Sequence, residues 1–240
     1  MENLSDNFDR DAIKENIAEI KSKIKAAAIL SGREESDIHF LAATKTQSAE
    51  KIKCAIDNGI NLIGENREVE LTAKYDDLKD TGVTQHFIGH LQTNKVKKVV
   101  GKVSMIESVD SLHLAEAINK ASLKQGIITD ILIEVNIGME ESKSGIGAKD
   151  TEDLIREIAK LQNIRILGLM AIPPILPDEE LNKVFKEMKN LFEDIKNKDI
   201  PNVKMEYLSM GMSDDYELAI KNGANIVRIG SKIFGKRYKN

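Results

Sequence analysis

Apolar residues recur along this chain in two rhythms that take turns. Over residues 8–30, Ile13, Ile17, Ile20, Ile24 and Ala27 fall at three- and four-residue steps, the spacing that lines one face of a helix. The run Ile38-His-Phe-Leu-Ala-Ala-Thr44 then reads as a strand with Lys45 at its carboxyl end. Ser48 is placed to cap a following helix through Asn58, and Gly59 to end it where a left-handed residue costs little. Further strands are expected at Asn61–Asn66, Gln85–His90, Ser104–Val109, Asp130–Asn136, Ile164–Ala171, Val203–Ser209 and Asn225–Gly230, with helical stretches between them. Near-continuous apolar runs such as Ile131-Leu-Ile-Glu-Val135 suit strands buried on both faces.

Eight strands alternating with helices predict an α/β fold closed as a TIM (β/α)8 barrel, preceded by an extra N-terminal helix. A doubly wound open sheet is the rival, but no glycine-rich dinucleotide fingerprint follows the first strand. The 240 residues are enough for one large core and few for two ordinary domains, so residues 1–240 read as a single barrel. Four prolines and no low-complexity tract give no sign of an interdomain linker.

Charge and leader composition narrow the function classes. Lys+Arg 35 against Asp+Glu 39 leaves a net charge of -4, which offers no general field for nucleic acid or a membrane surface. The cluster Lys95-Val-Lys-Lys98 is a local exception to that balance, which solvated helix surface explains as well. The one cysteine, Cys54, falls in a helical pattern with Ile52, Ala55 and Ile56 and reads as a packed thiol in a reducing compartment. An acidic, polar N-terminus and the lack of a long apolar run lead to the expectation of a cytoplasmic protein.

In a closed parallel barrel the carboxyl ends of all strands meet at one mouth, where such folds keep their chemistry. Here those ends are Lys45, Asn66, His90, Ser108, Asn136, Met170, Ser209 and Gly230. A lysine at the mouth can serve as a Schiff-base nucleophile, although lysines after strands often only solvate the strand end. The last two strand-end loops, Ser209-Met-Gly-Met-Ser213 and Gly230-Ser231, suit a phosphate. Gly211 and Gly230 allow close backbone approach, Ser213 and Ser231 offer hydroxyls, and Ser213 is expected to open a helix. Asp214 and Asp215 suit that helix's first turn but must point away from an anion.

Arg228 alternates with Val227 and Ile229 and so faces the other way, into the barrel's upper layer, where it needs an acceptor. Glu134 is one candidate and a ligand ring nitrogen another. His86 and His90 sit four residues apart on one strand, about 13 Å along the backbone, too far to share a metal ion directly. His90 is expected to line the mouth or satisfy a hydrogen bond, and Met170, Met210 and Met212 to pack around the site.

These residues resemble the pyridoxal phosphate homeostasis proteins, single-barrel relatives of the N-terminal domain of bacterial alanine racemase. The resemblance rests on Thr44-Lys-Thr46, Gly64-Glu-Asn66, His86-Phe-Ile-Gly-His-Leu-Gln-Thr-Asn-Lys95, Glu141-Ser-Lys-Ser-Gly145, Gly168-Leu-Met170, Leu208-Ser-Met-Gly-Met-Ser-Asp-Asp215 and Val227-Arg-Ile-Gly-Ser231. It departs from the usual pattern at Arg67, where an aromatic is common, and at Gln85, where tryptophan is frequent.

The resemblance implies fold type III of the pyridoxal phosphate proteins without the C-terminal β-domain. It further implies that Lys45 forms an internal aldimine with pyridoxal 5'-phosphate, which needs a neutral amine. Asn66, His90, Met170, Ser209, Met210, Ser213, Arg228, Gly230 and Ser231 would complete the cofactor site, with the phosphate on Ser213, Gly230 and Ser231 and the ring nitrogen facing Arg228. The expected role is a carrier in cofactor homeostasis, in transient contact with cofactor-dependent apo-enzymes. The alternative is an amino-acid racemase, whose second acid/base group comes from a tyrosine in an additional domain. The sequence ends at Asn240, shortly after the eighth strand, so no such domain is expected. A monomer is expected for the same reason. A sugar-phosphate aldolase or isomerase using Lys45 as base would keep the phosphate site and drop the cofactor.

Overall fold

The structure is a computed structural model that describes residues 8–138 and 144–235. Glu141, Ser142 and Lys143 of the family block therefore lie outside the described residues. Nine parallel strands form: β1 (His39–Ala43), β2 (Leu62–Glu65), β3 (Thr84–Phe87), β4 (Met105–Val109), β5 (Thr129–Asn136), β6 (Ile146–Gly147), β7 (Ile164–Ala171), β8 (Val203–Ser209) and β9 (Ile226–Ile229). Strand β1 pairs with both β2 and β9, and β4 pairs with β5, so eight of them close into a barrel. Two-residue β6, which no sequence pattern announced, only extends the edge of β5 at Val135 and Asn136.

The helices α1 (Arg10–Leu30), α2 (Ala49–Asp57), α3 (Glu68–Leu78), α4 (Val96–Val99), α5 (Leu112–Gln125), α6 (Thr151–Ile158), α7 (Asp178–Lys196), α8 (Tyr216–Lys221) and α9 (Ser231–Phe234) surround it. Asp9 caps α1 by accepting from the Ala12 N–H at 3.0 Å, and the helix buries Ile13, Ile17, Ile20, Ile24 and Ala27 as its spacing predicts. Ser48 caps α2 and Gly59 follows it at φ +85°. No helix among the described residues is long and apolar enough to cross a membrane.

Strand alternation splits the interior into two cores, because successive side chains point to opposite faces. Phe40, Ala42, Ile63, Ile106 and Ile131 point outward and pack under the helices. Leu41, Ala43, Leu62, Ile88, Met105, Leu132, Leu167, Met170 and Ile226 fill the barrel itself. The phase of this second set decides what reaches the mouth. Counting on by twos puts Lys45 above Ala43, Arg228 above Ile226, Glu107 above Met105 and Glu134 above Leu132. Gly168, at φ +148°, keeps β7 close to β8, since a Cβ there would lie 1.8 Å from the Tyr207 carbonyl oxygen.

Candidate functional site

A cavity of about 240 Å³ opens at the carboxyl end of the barrel. Lys45, Asn66, Ser213, Arg228, Gly230 and Ser231 all line it, with Ala43, Ile88 and Met212 as apolar wall. Six of the ten residues expected at a ligand site thus share one space.

Backbone and side-chain contacts fix the loop that carries Lys45 on both sides. Thr44 is fully buried and donates its hydroxyl to Glu65 Oε1 at 2.6 Å, while its N–H donates to the Gly64 carbonyl. Thr46 adopts φ +66° and donates its N–H to Glu70 Oε2 at 2.5 Å. From α3, Lys74 reaches across to Glu65 Oε1 at 2.5 Å and to the carbonyls of Thr44 and Gln47, both at 3.1 Å. Burial pushes the Glu65 carboxyl up from its ordinary value, and the Lys74 and Thr44 contacts pull against that.

The opposite wall is made by the two loops expected to take an anion. The Gly230 N–H donates to Ser213 Oγ at 3.3 Å, which leaves the Ser213 hydroxyl proton for an acceptor in the cavity. A Cβ on Gly230 would sit 3.0 Å from the Ala43 carbonyl oxygen, so the glycine lets the last strand-end loop close against β1. One expectation fails here: Ser213 does not open a helix. Helix α8 begins at Tyr216, and the turn before it is held by Asp215, whose Oδ1 accepts from the Met212 N–H at 2.6 Å. Asp215 therefore faces its own turn and not the cavity, whereas exposed Asp214 lies on the rim.

Arg228 forms the floor and is buried, with 5% of its surface exposed. Its two terminal nitrogens donate to Ser209 Oγ at 2.6 Å and to the Ala171 carbonyl at 2.8 Å. Glu134, one of the two candidate partners for it, makes no hydrogen bond to it. The Glu134 Oε2 is buried without a partner, and burial, with Asp110 nearby, pushes this carboxyl up to about 7. The acceptor that does serve the arginine's neighbour is Glu107, which the sequence reading passed over. Its Oε2 accepts from Ser209 Oγ at 2.6 Å and its Oε1 meets His86 Nδ1 at 2.7 Å. Burial pushes the Glu107 carboxyl up, but His86, Arg228 and Ser209 outweigh it and hold the group below its ordinary value. Glu107 could have been found by alternation from Met105, which puts it and not strand-end Ser108 inside.

Four expected residues lie elsewhere. Ser209 is beneath Arg228, fully buried. Met170 belongs to the barrel's inner core, and Met210 points outward into the helix-packing core. His90 lies past the end of β3 in an exposed loop, with Nδ1 3.2 Å from Ser144 Oγ and 3.9 Å from Asp110. Met212 lines the cavity as apolar packing, as expected, and Gln47 lines it without having been expected to.

A phosphorylated pyridine aldehyde requires an amine, an anion cradle and a partner for its ring. The amine of Lys45, the hydroxyls of Ser213 and Ser231 beside a glycine backbone, and a fixed guanidinium below an apolar wall match the amine, anion and ring requirements of that group. Asn66 Oδ1 is also buried in the wall without a partner, an acceptor available to a ligand donor. The residues fit.

Comparison with known proteins gives consistent results. The model of the family described as alanine racemase, N-terminal domain, matches residues 8–238. The pyridoxal phosphate homeostasis protein of Aquifex aeolicus is 42% identical over 224 residues, 93% of this chain and 97% of that protein. PipY of Synechococcus elongatus PCC7942, solved with PLP bound, superposes with a TM-score of 0.82 at 30% identity, covering 93% of this chain and all of that one. The alanine racemase of Clostridium difficile 630 shares the fold, with a TM-score of 0.73 at 17% identity, and this chain covers 61% of it.

Proposed function

Because this chain belongs to the alanine racemase N-terminal domain family and, within it, to the pyridoxal phosphate homeostasis proteins, we propose that it binds pyridoxal 5'-phosphate at the barrel mouth and takes part in keeping that cofactor in reserve. The observation that carries this reading is the single cavity shared by Lys45, Ser213, Gly230, Ser231 and Arg228. When bound, the cofactor supplies an aldehyde that condenses reversibly with an amine. Lys45 would supply that amine. Ser213, Ser231 and the Gly230 backbone would hold the phosphate, and Asn66 would accept from a ligand donor.

Arg228 favours storage over carbanion chemistry. A guanidinium stays protonated and can only donate, so it holds a facing ring nitrogen unprotonated and weakens the ring as an electron sink. Its fixed pose over Ser209 and Ala171 therefore supports holding over turnover. Ile172 lines the mouth and fully exposed Ile175 follows it in the loop after β7, and together they support a further reading, that a recipient apo-enzyme docks on this rim. In the same proposal the protein acts in the cytoplasm as a monomer, a reading supported by exposed apolar side chains that are divided among separate elements: Ile29 and Leu30 on α1, Val69 on α3, Leu123 on α5 and Ile128 before β5.

Equilibrium titration tests the site. The wild type is expected to bind pyridoxal 5'-phosphate more tightly than unphosphorylated pyridoxal. In Ser213→Ala that preference should shrink by about tenfold, the worth of one hydrogen bond to a charged group. Equal affinity for the two ligands in the wild type contradicts the phosphate assignment. Incubation of the loaded protein with L-alanine, with D-alanine measured, separates storage from racemization: sustained turnover above that of free cofactor contradicts the storage reading.

A further inference from the structure

Beneath the mouth a chain of buried polar side chains crosses the barrel. His86 on β3 meets Glu107 on β4 at 2.7 Å, Ser209 on β8 donates to the other Glu107 oxygen at 2.6 Å, and Arg228 on β9 donates to Ser209 at 2.6 Å. Glu107 and Ser209 are fully buried, Arg228 is 5% exposed and His86 6%. Polar groups placed this deep cost stability unless paired, and here each is paired with the next, at four different strands. Apolar side chains of similar size would fill the same layer without that cost. Ser209 is the junction. Its single proton goes to Glu107, so its oxygen is left to accept from Arg228, and the direction of the whole chain is set by the carboxylate.

We propose that Glu107 is a positioning residue for the mouth site, acting through Ser209 to hold the Arg228 guanidinium against the cavity floor. This rests on the reading that the mouth binds pyridoxal 5'-phosphate, and Glu107 acts on the ligand only through the arginine. The other restraint on Arg228, the Ala171 carbonyl, fixes one terminal nitrogen; the Ser209 contact fixes the second and with it the plane of the guanidinium. Glu134 does not take this place: it makes no hydrogen bond to Arg228 among the described residues, and its Oε2 is buried without a partner.

The test compares wild type, Glu107→Gln, Glu107→Asp and Ser209→Ala, each taken without ligand through thermal unfolding and then titrated with pyridoxal 5'-phosphate while the absorption spectrum of the bound cofactor is recorded. Glu107→Gln is expected to weaken affinity by about tenfold or more and to shift the bound cofactor's absorption, because the tilt of the guanidinium facing its ring changes and the carboxylate charge behind it is lost. Glu107→Asp should restore part of both. Ser209→Ala should reproduce the spectral shift while leaving Glu107 its histidine partner, and it carries the test alone if Glu107→Gln does not fold. A folded Glu107→Gln, or failing that Ser209→Ala, with the wild-type affinity and spectrum overturns the proposal. Absence of binding by the wild type overturns the reading of the mouth itself, a different result from a wild type that binds and variants that match it.

Discussion

Single atoms decide how the mouth is built. Gly89 has room for no side chain, because a Cβ would lie 2.1 Å from the Asn66 carbonyl oxygen. Gly89→Ala must therefore push Asn66 out of the cavity wall. Its expected effects are destabilisation of about 1–3 kcal/mol, the usual cost of overpacking, and weaker ligand binding, both read by chemical unfolding and titration. Glu134 gives a prediction in pH. Its carboxyl ionises near 7 in the folded chain, against 4.5 in the absence of burial. Below both values it is protonated in either state; as pH rises the unfolded chain ionises first, so native stability contributed by this group is lost progressively between them. Glu134→Gln should remove that loss, making the ligand-free protein more stable than wild type at pH 8 by up to roughly 3 kcal/mol and equal to it near pH 4. A variant no more stable at pH 8 would contradict the shifted carboxyl. At this scale Lys45, Asn66 and Arg228 were legible, because alternation along a strand carries straight to its end. Glu134 was legible only as a buried acid. Whether it would meet Arg228 depended on the tilt of neighbouring strands, and Ser209 took the contact.

Among the elements, strands were read more accurately than the turns that follow them. Each expected strand forms within about three residues of its predicted bounds, because burial on both faces leaves an apolar run that nothing else explains. The Ser213 helix start failed for a local reason: Asp215 competes for the same role and captures the Met212 N–H, delaying α8 to Tyr216. His90 lies outside the cavity wall because β3 stops at Phe87, so alternation no longer holds three residues later, and it takes the other expected role, a hydrogen bond, here with Ser144. The clamp of Lys74 on the Lys45 loop left no mark in the sequence, since it joins residues thirty positions apart through α3. It has a measurable consequence. Lys74→Met would strand Glu65, which is 3% exposed, without its cation. A loss of about 3–5 kcal/mol is expected for breaking a buried pair from one side, and denaturant unfolding will show it; a loss under about 1 kcal/mol would mean that the pair is solvated.

Barrel closure makes a site of residues that share no neighbourhood in the sequence. Lys45 and Arg228 line one cavity because β1 pairs with β9, with Leu41 level with Arg228, and the same closure links His86, Glu107 and Ser209 to the arginine from below. The proposed storage role rests on that layering: an amine and two glycine-serine loops suited to an anion at the mouth, a fixed cation beneath, and an inner apolar core of Met105, Leu132, Leu167 and Met170 that seals the bottom. The central claim is that Lys45 is where the cofactor is held. Loading the protein with pyridoxal 5'-phosphate, reducing it with borohydride and mapping the modified peptide by mass spectrometry tests this most directly. The account predicts the phosphopyridoxyl group on Lys45, absent in Lys45→Ala; a group found on another lysine in the wild type, or on none, would contradict it.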